Sequence, residues 1–320
     1  MKKLFLISAV ICFLAGCTHR NSKIPVVGFA DAFEDNTIEQ AKTGYFDALQ
    51  KNGFDEKNGT LKIIYRNAQG NIPALTQIIK YFVAQEVSLI ATNPSLSTIT
   101  AVQNTKDIPI FMMVSPTPTL MKVTDLQGNP PKNLFGLGET LDYIDTSFLL
   151  IPKIMKPKSA KLTVGMVFNQ SEPQSVESMQ RIQKLASDNN INLIYLPVNS
   201  SADVQLVTAS LLSKNIDVFF ANPDNVVFAS FETIVQSCNQ KNIPIFTSEA
   251  GLVARGALAA YGADIYQWGY QAGEQAAQYL KTKSTKDMHW EMVKVRKRVY
   301  NPEVAKKFGL SIPSNYQPVQ

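Results

Sequence analysis

Hydroxyl, amide and carboxylate side chains follow two apolar segments that are similar to each other. Residues 89–95 read Leu-Ile-Ala-Thr-Asn-Pro-Ser, and residues 218–224 read Val-Phe-Phe-Ala-Asn-Pro-Asp. Each segment predicts a strand that ends at Asn-Pro, just before a helix. Because the first turn of a helix carries free backbone N–H groups, Thr92 and Ser95 could help to bind an anion, and the Asp224 carboxylate could bind a cation. Ser95 and Asp224 could equally cap their helices, so ligand binding and capping both remain open.

Residues for catalysis are not found in a usable arrangement. The two histidines, His19 and His289, lie in polar stretches, which leaves no Ser/His/Asp or Cys/His set and no histidine metal cluster. Cys238 falls among predicted helix residues and is expected to be a packed thiol. Gly136-Leu137-Gly138 lacks the third glycine of a dinucleotide fingerprint. We therefore expect no enzyme, no cofactor and no metal site, with an enzyme acting on a bound compound as the minor alternative.

Short apolar runs alternate with helix-length amphipathic segments along the chain. The predicted strands are residues 25–30, 61–65, 88–91, 109–114, 162–168, 192–198, 218–221, 243–247, 257–263 and 291–299. Most of these runs are continuously apolar, which is typical of parallel strands buried on both faces. Between them, apolar residues at helical spacing predict crossover helices, and Gly269 and Gly273 would let the helix at residues 266–281 pack closely. The pattern predicts an α/β fold built from βαβ units.

Two similar halves are predicted within the chain. After each Asn-Pro helix comes a matching strand, Lys-Asp-Ile-Pro-Ile-Phe at residues 106–111 and Lys-Asn-Ile-Pro-Ile-Phe at residues 241–246, although generic α/β units could converge on this pattern. A chain of 320 residues with 45% hydrophobic content can form two cores. We expect two Rossmann-like lobes with parallel sheets, an N-terminal lobe of residues 23–138 plus 250–283 and a C-terminal lobe of residues 139–249 plus 284–320. Three hinge crossovers are expected near residues 116–138, 249–256 and 282–289.

The first 17 residues carry the pattern of an export signal. Lys2 and Lys3 precede an apolar run, residues 4–14, that is shorter than the roughly 20 residues of a membrane-spanning helix. Leu14-Ala15-Gly16-Cys17 looks like a bacterial lipobox, so Cys17 would be lipidated and residues 18–22 would form a tether. An ordinary secretory signal is the alternative. We expect a protein anchored to the cell membrane by lipid, facing the periplasm or the extracellular side, and the net charge of +5 is too mild to indicate nucleic acid.

Several short motifs spread over nearly the whole chain belong together. They are Asn67-Ala68-Gln69-Gly70, Thr92-Asn93-Pro94-Ser95, Ile108-Pro109-Ile110, Pro223-Asp224-Asn225, Arg255-Gly256-Ala257-Leu258-Ala259, Tyr261-Gly262 and Phe308-Gly309-Leu310-Ser311-Ile312-Pro313. With them the chain resembles the ABC-transporter substrate-binding lipoproteins related to bacterial tryptophan and aromatic amino-acid binders, which have the type I periplasmic-binding-protein fold. The resemblance implies a binding component that captures an aromatic amino acid, such as tryptophan or tyrosine, and delivers it to the permease subunits of an importer.

Two segments depart from the family's pattern at the predicted cleft edges. The family usually has Val-Thr-Asp-Pro where this chain has Val114-Ser115-Pro116-Thr117-Pro118, and acidic and hydroxyl residues where this chain has Ser248-Glu249-Ala250-Gly251-Leu252. These departures leave the ligand open, and a nucleoside, a purine or another small solute is the alternative. A ligand-sensing subunit for a membrane receptor could use the same cleft.

The resemblance to amino-acid binders also sets what the site must satisfy. Parallel sheets bind ligands beyond the carboxyl ends of their strands, so the cleft between the lobes must pair a carboxylate and an ammonium. Ser95 and its neighbours would bind the carboxylate, while Asp224, with Glu249 as the second candidate, would bind the ammonium. The predicted ligand-binding residues are Phe33, Asn67, Gln69, Thr92, Ser95, Ser115, Thr117, Phe168, Asn222, Asp224, Glu249 and Tyr261. Among them, Phe33, Phe168 and Tyr261 could wall an aromatic ligand or belong to the core.

Overall fold

The computed structural model describes residues 24–319. The expected signal peptide, the lipidation site at Cys17 and the tether at residues 18–22 lie outside the described residues. Within residues 24–319, no helix is both long enough and apolar enough to cross a membrane.

The described chain alternates strands and helices over most of its length. The strands are β1 (Val26–Asp31), β2 (Lys62–Asn67), β3 (Leu89–Asn93), β4 (Ile110–Pro116), β5 (Leu134–Glu139), β6 (Thr163–Asn169), β7 (Asn192–Val198), β8 (Val218–Ala221), β9 (Ile245–Thr247), β10 (Ala259–Ala263), β11 (Glu291–Met292), β12 (Arg296–Tyr300) and β13 (Gln317–Pro318). The helices are α1 (Asn36–Lys51), α2 (Ile72–Ala84), α3 (Ser95–Asn104), α4 (Tyr143–Phe148), α5 (Ile151–Ile154), α6 (Pro173–Asp188), α7 (Ser201–Leu212), α8 (Asn225–Ala229), α9 (Phe231–Gln240), α10 (Ala250–Val253), α11 (Ile265–Thr282) and α12 (Pro302–Phe308).

Each lobe is built around a parallel sheet. The sheet of the N-terminal lobe has the strand order β11-β5-β4-β3-β1-β2, and every pair in it is parallel. The main sheet of the C-terminal lobe has the order β7-β6-β8-β9, also parallel. Strands β3, β5, β6 and β8 are buried along their whole length, which explains their unbroken apolar runs. The expected α/β fold with two parallel-sheet lobes is confirmed.

The crossings between the lobes differ in place from those expected. β10 pairs with β12 in a small mixed sheet, and the Leu258 N–H donates to the Ile245 carbonyl, so residues 257–263 stay with the C-terminal lobe. β11 pairs with β5, which puts residues 291–292 in the N-terminal lobe. The chain therefore crosses at residues 140–142, at Asp264 and at residues 293–295. An apolar strand does not tell which of two sheets it joins, and a two-residue strand has no sequence periodicity at all.

Helices α1 and α11 pack through glycines. A Cβ atom at Gly269 would overlap the backbone of Ala41, one at Gly44 would overlap the Tyr266 carbonyl, and one at Gly273 would press on the backbone of Tyr45. The close packing that Gly269 and Gly273 predict is therefore present. It holds α11, which enters the N-terminal lobe after the second crossing, firmly against the first helix of that lobe.

Replacement of Gly269 by alanine is expected to destabilise the protein by about 3 kcal/mol, because the new methyl group meets backbone atoms that cannot turn aside. The measurement is the urea midpoint of unfolding. Gln278→Ala, at an exposed position of the same helix, is the control and should stay within about 0.5 kcal/mol of the parent. An unchanged midpoint for Gly269→Ala would contradict the close backbone contact.

Candidate ligand-binding cleft

A cavity of about 60 Å³ lies between the lobes, where the carboxyl ends of both parallel sheets face each other. Its polar lining is Ser95, Ser115, Glu139, Thr140, Gln174, Asp224, Asn225 and Glu249. Its apolar lining includes Ile38, Val114, Leu141, Tyr143, Phe228 and Trp268. Helices α1, α3 and α11 supply the wall on one side, and α4, α6 and α8 supply it on the other. This is the position expected for a ligand site in parallel α/β lobes.

Ser95 begins α3 and contacts the opposite lobe. Its Oγ atom accepts hydrogen bonds from Asn225 Nδ2 at 3.0 Å and from Gln174 Nε2 at 3.4 Å. The preceding residue, Pro94, gives α3 no side-chain cap, so no capping side chain competes for the first N–H groups of this helix, whose first residue, Ser95, lines the cleft. Because these contacts join the two lobes, the structure is in a closed arrangement.

Glu172 organises the C-terminal side of this contact. Its Oε2 atom accepts from Asn225 Nδ2 at 2.7 Å and from Gln174 Nε2 at 2.5 Å, and Oε1 accepts from Asn169 Nδ2 at 2.7 Å. Burial, and then the charge of nearby Asp224, raise the pKa of Glu172 to about 8. The amide oxygen of Gln174 is buried, and no described residue donates a hydrogen bond to it. The cleft therefore presents one acceptor that is ready for a donor.

Asp224 lines the cavity but is engaged by its own lobe. As N-cap of α8 it accepts from the Val227 N–H at 2.8 Å, and its other oxygen accepts from the Asn169 N–H at 2.6 Å and from Ser175 Oγ at 2.7 Å. Burial raises the pKa of Asp224. The capping role considered for this residue is thus present, together with a position at the cavity wall.

Glu249 is a buried carboxylate of which only one oxygen accepts hydrogen bonds from the described residues. It is 4% exposed, and its Oε1 atom accepts from the Tyr143 hydroxyl at 2.6 Å and weakly from Ser248 at 3.5 Å. Among the described residues none donates a hydrogen bond to its Oε2 atom. Burial raises the pKa of Glu249 to about 7. A carboxylate in this setting is an acceptor for a cationic ligand group.

Glu139 carries a different role at the edge of the cavity. Arg296 donates to it through Nε at 3.0 Å and Nη2 at 2.6 Å. Burial raises the pKa of Glu139 in spite of this partner. Because Glu139 ends β5 and Arg296 begins β12, the ion pair joins the first and the third segments that connect the lobes. It is part of the hinge as well as of the cavity wall.

Four of the twelve residues that the sequence predicts as ligand-binding line the cavity: Ser95, Ser115, Asp224 and Glu249. Thr92 and Asn222 lie beneath it, fully buried. Thr92 bonds Thr98 at 2.9 Å, and Thr98 in turn bonds Ser115 at 3.0 Å. Asn222 bonds Ser178 at 2.5 Å and Ser175 at 2.9 Å. These two residues support the neighbours that face the cavity.

The other six predicted residues lie away from this cavity. Phe33 and Asn67 line a separate small crevice at the ends of β1 and β2, and Asn67 Oδ1 accepts from the Gln69 N–H, which fixes a turn. Phe168 packs against Tyr195, and Tyr261 lies under the Arg298 guanidinium at 4.4 Å. Thr117 Oγ1 accepts from the Leu120 N–H at 3.4 Å in the loop after β4.

The aromatic side chains of the cavity come from positions that sequence reasoning missed. Tyr143 begins α4, Phe228 lies in α8, and Trp268 lies in α11 with its Nε1 atom donating to the Leu137 carbonyl at 2.9 Å. Gln174, Asn225 and Glu139 were also missed. Glu139 ends a strand and Asn225 begins a helix, so both could have been predicted from their places at the carboxyl edge of a sheet.

A cleft between two α/β lobes, joined by three short segments and lined by buried polar groups, defines a two-lobed solute-binding protein. Among residues 24–319, no group of three or more His, Cys, Asp or Glu side chains is placed to hold a metal ion. The family model for the ABC transporter substrate binding protein matches residues 26–317, and the chain belongs to that family. The family resemblance seen in the sequence motifs is confirmed.

Relatives and solved structures agree with this family. The chain is 32% identical over 262 residues to the tyrosine-binding protein of Clostridioides difficile, and the match spans 82% of this chain and 74% of that protein. It resembles a conserved domain protein from Vibrio cholerae with a TM-score of 0.82 and 26% identity, over 93% of this chain and 100% of that one. An ABC domain from Streptococcus pneumonia in complex with L-Trp shares the fold, with a TM-score of 0.81 and 21% identity over 92% and 99% of the two chains. The ligand-free, open structure of a substrate binding protein with adhesive properties from Clostridium difficile has a TM-score of 0.67 at 27% identity, over 93% and 99%.

Proposed function

We propose that this substrate-binding protein takes an aromatic amino acid, tyrosine or tryptophan, into the interlobe cleft. The observation that carries the proposal is Glu249, a buried carboxylate with an unused oxygen, in a cavity walled by Trp268, Tyr143 and Phe228. A carboxylate of this kind is suited to an ammonium group, and aromatic walls are suited to a flat ring. The names of the relatives, a tyrosine-binding protein and an L-Trp complex, support the same ligand class.

The ligand carboxylate would be bound at the start of α3. The N–H groups of Ser95 and Leu96 belong to the first turn of a ten-residue helix that lacks a side-chain cap, and such N–H groups favour anions. The Ser95 hydroxyl can donate to the same carboxylate once ligand enters. Gln174, with its unpartnered amide oxygen, would accept a hydrogen from the ammonium. The amino acid would thus be held by groups from both lobes.

We further propose that the chain is a lipid-anchored component of an importer and not an enzyme. The segment Leu14-Ala15-Gly16-Cys17 supports lipidation at Cys17 after export. The anchored protein would face the periplasm or the extracellular side and release its ligand to ABC permease subunits. Closure on the ligand gives these subunits a shape to recognise.

The test is a ligand panel on residues 18–320, unfolded and refolded first to remove any ligand that was carried along. We expect tyrosine, tryptophan or phenylalanine to raise the unfolding midpoint by several degrees, since saturation at about 100 times Kd adds about 2.7 kcal/mol. The remaining standard amino acids and a set of nucleosides are the controls. A shift with nucleosides alone, or with no compound of the panel, would contradict the proposed ligand.

A further inference from the structure

The motif Arg255-Gly256-Ala257-Leu258-Ala259 contains an arginine that joins the two lobes without lining the cavity. Arg255 follows α10 on the C-terminal lobe. Its Nε and Nη2 atoms donate to the two carboxylate oxygens of Glu232 at 2.8 and 2.9 Å, and Nη2 also donates to the Phe228 carbonyl at 3.2 Å. The guanidinium carbon lies 5.4 Å from the centre of the Phe231 ring. Arg255 is therefore held in position by its own lobe.

The remaining nitrogen of Arg255, Nη1, reaches the N-terminal lobe. It donates to Asp35 Oδ2 at 2.6 Å and to Thr37 Oγ1 at 3.1 Å. The Asp35 side chain is 1% exposed, and its other oxygen accepts the N–H groups of Thr37 and Ile38 at the start of α1. Ile38 and Phe228 line the cavity from opposite lobes. The ion pair therefore stands directly beside the cleft.

Helix α10 also meets the start of α1 at Gly251. A Cβ atom at this position would overlap the Thr37 side chain. The lobes thus approach each other here, in this closed arrangement, as closely as a glycine permits. The guanidinium of Arg255 has one set of partners in its own lobe and a second set, Asp35 and Thr37, in the other lobe.

We propose that Arg255 is a closure latch, which stabilises the closed arrangement through Asp35 without touching the ligand. When the lobes open, Glu232 keeps the arginine charge paired and Asp35 keeps its place as the cap of α1, so neither group is left without a partner. A ligand that binds the closed arrangement gains affinity in proportion to the fraction of molecules that close. The latch therefore raises the affinity for every ligand by one common factor. This inference concerns closure and holds for any ligand that the cleft accepts.

Arg255→Gln and Asp35→Asn test the latch, the second because asparagine still caps a helix while it loses the charge. We expect each variant to bind L-tyrosine, L-tryptophan and L-phenylalanine about tenfold more weakly, by the same factor for all three, with no further loss in the double variant. Arg255→Lys should retain part of the affinity, since lysine keeps the positive charge but lacks the planar set of donors of the guanidinium group. Arg66→Gln is the matched control, because this guanidinium contacts Tyr65 and Tyr81 of its own lobe.

Closure itself is measured by energy transfer between dyes on the two lobes. Lys57→Cys and Lys214→Cys give two exposed attachment sites, while Cys238 is buried. Without ligand, we expect Arg255→Gln to shorten the closed-state lifetime about tenfold and to leave the urea midpoint unchanged. This arm needs no ligand, so it separates a failure of the latch from a failure of the proposed ligand.

Three results would overturn the latch. The first is an equal closed-state lifetime in the parent and Arg255→Gln, and the second is a loss of affinity for one ligand but not for the others. The third is a loss of affinity that is matched by a lower urea midpoint of the ligand-free variant, which would assign Arg255 to the stability of its lobe instead.

Discussion

Glu249→Gln is expected to weaken the binding of tyrosine and tryptophan about 100-fold. Glutamine keeps an oxygen that can accept from the Tyr143 hydroxyl, but it removes the negative charge that would face the ligand ammonium. Loss of a buried charge partner costs about 3 kcal/mol, which corresponds to this factor in Kd. Isothermal titration of refolded, ligand-free protein measures the change directly.

Two further variants sharpen this test. Glu274→Gln makes the same chemical change at an exposed position of α11 and should leave Kd unaltered. Asp224→Asn addresses the ammonium partner first predicted from the sequence, whose oxygens bond to Val227, Asn169 and Ser175 in the structure. If Asp224→Asn loses more affinity than Glu249→Gln at an equal urea midpoint, Asp224 is the ammonium partner and the assignment to Glu249 is wrong.

Lowering the pH from about 7.5 to about 5.5 is expected to weaken the binding of the same ligands about tenfold. Burial raises the pKa of Glu249 to about 7, so this carboxyl takes up a proton as the pH falls through that value in the ligand-free, closed protein. An ammonium beside it favours the ionised form and lowers its pKa in the complex. Binding therefore requires release of a proton below about pH 7, and affinity falls as the pH falls. Titrations in several buffers measure both Kd and the released protons.

The charged groups around Glu249 make the origin of this change of affinity with pH testable. Tyr143 donates to it, and Glu139 is nearby and is paired with Arg296. On the C-terminal side, Asp224 lines the same cavity, and Glu172 lies behind the lining and accepts from Asn225. Burial also raises the pKa values of Glu172, Asp224 and Glu139. If Glu249 is the group that titrates, the pH dependence of binding disappears in Glu249→Gln. A pH dependence that persists in that variant would locate the titrating group elsewhere.

Much of the fold could be predicted from the sequence because its strands are buried on both faces. Continuous apolar runs mark β3, β6 and β8 as parallel strands, and the repeated Asn-Pro segments mark two similar lobes. The lobe boundaries could not be predicted in the same way. β10 is apolar in a manner that suits either sheet, and its place is decided by its pairing with β12, far along the chain.

The candidate site was only partly predictable. Ser95, Asp224 and Glu249 come directly after strands or at the start of helices. Because parallel sheets bind ligands beyond the carboxyl ends of their strands, these positions are predicted to lie in the cleft, as they do. Trp268 was not predicted because its spacing within α11 is that of an ordinary core stripe, although the sequence already placed this helix in the N-terminal lobe. Phe33 and Phe168 also lie at the carboxyl ends of strands, but Phe33 lines a separate crevice and Phe168 packs against Tyr195.

The three connecting segments are tied to one another, and this limits how the protein can bend. Glu139 and Arg296 fasten the first to the third, while the Asp264 N–H donates to the Val295 carbonyl and Asp264 pairs with Lys297, which fastens the second to the third. Three independent connecting segments would allow the lobes to twist and slide against each other. Segments that are bonded to one another bend together, about one common axis. The open and closed forms are then two end points of one rotation, and a docking partner meets a small set of shapes rather than a continuum.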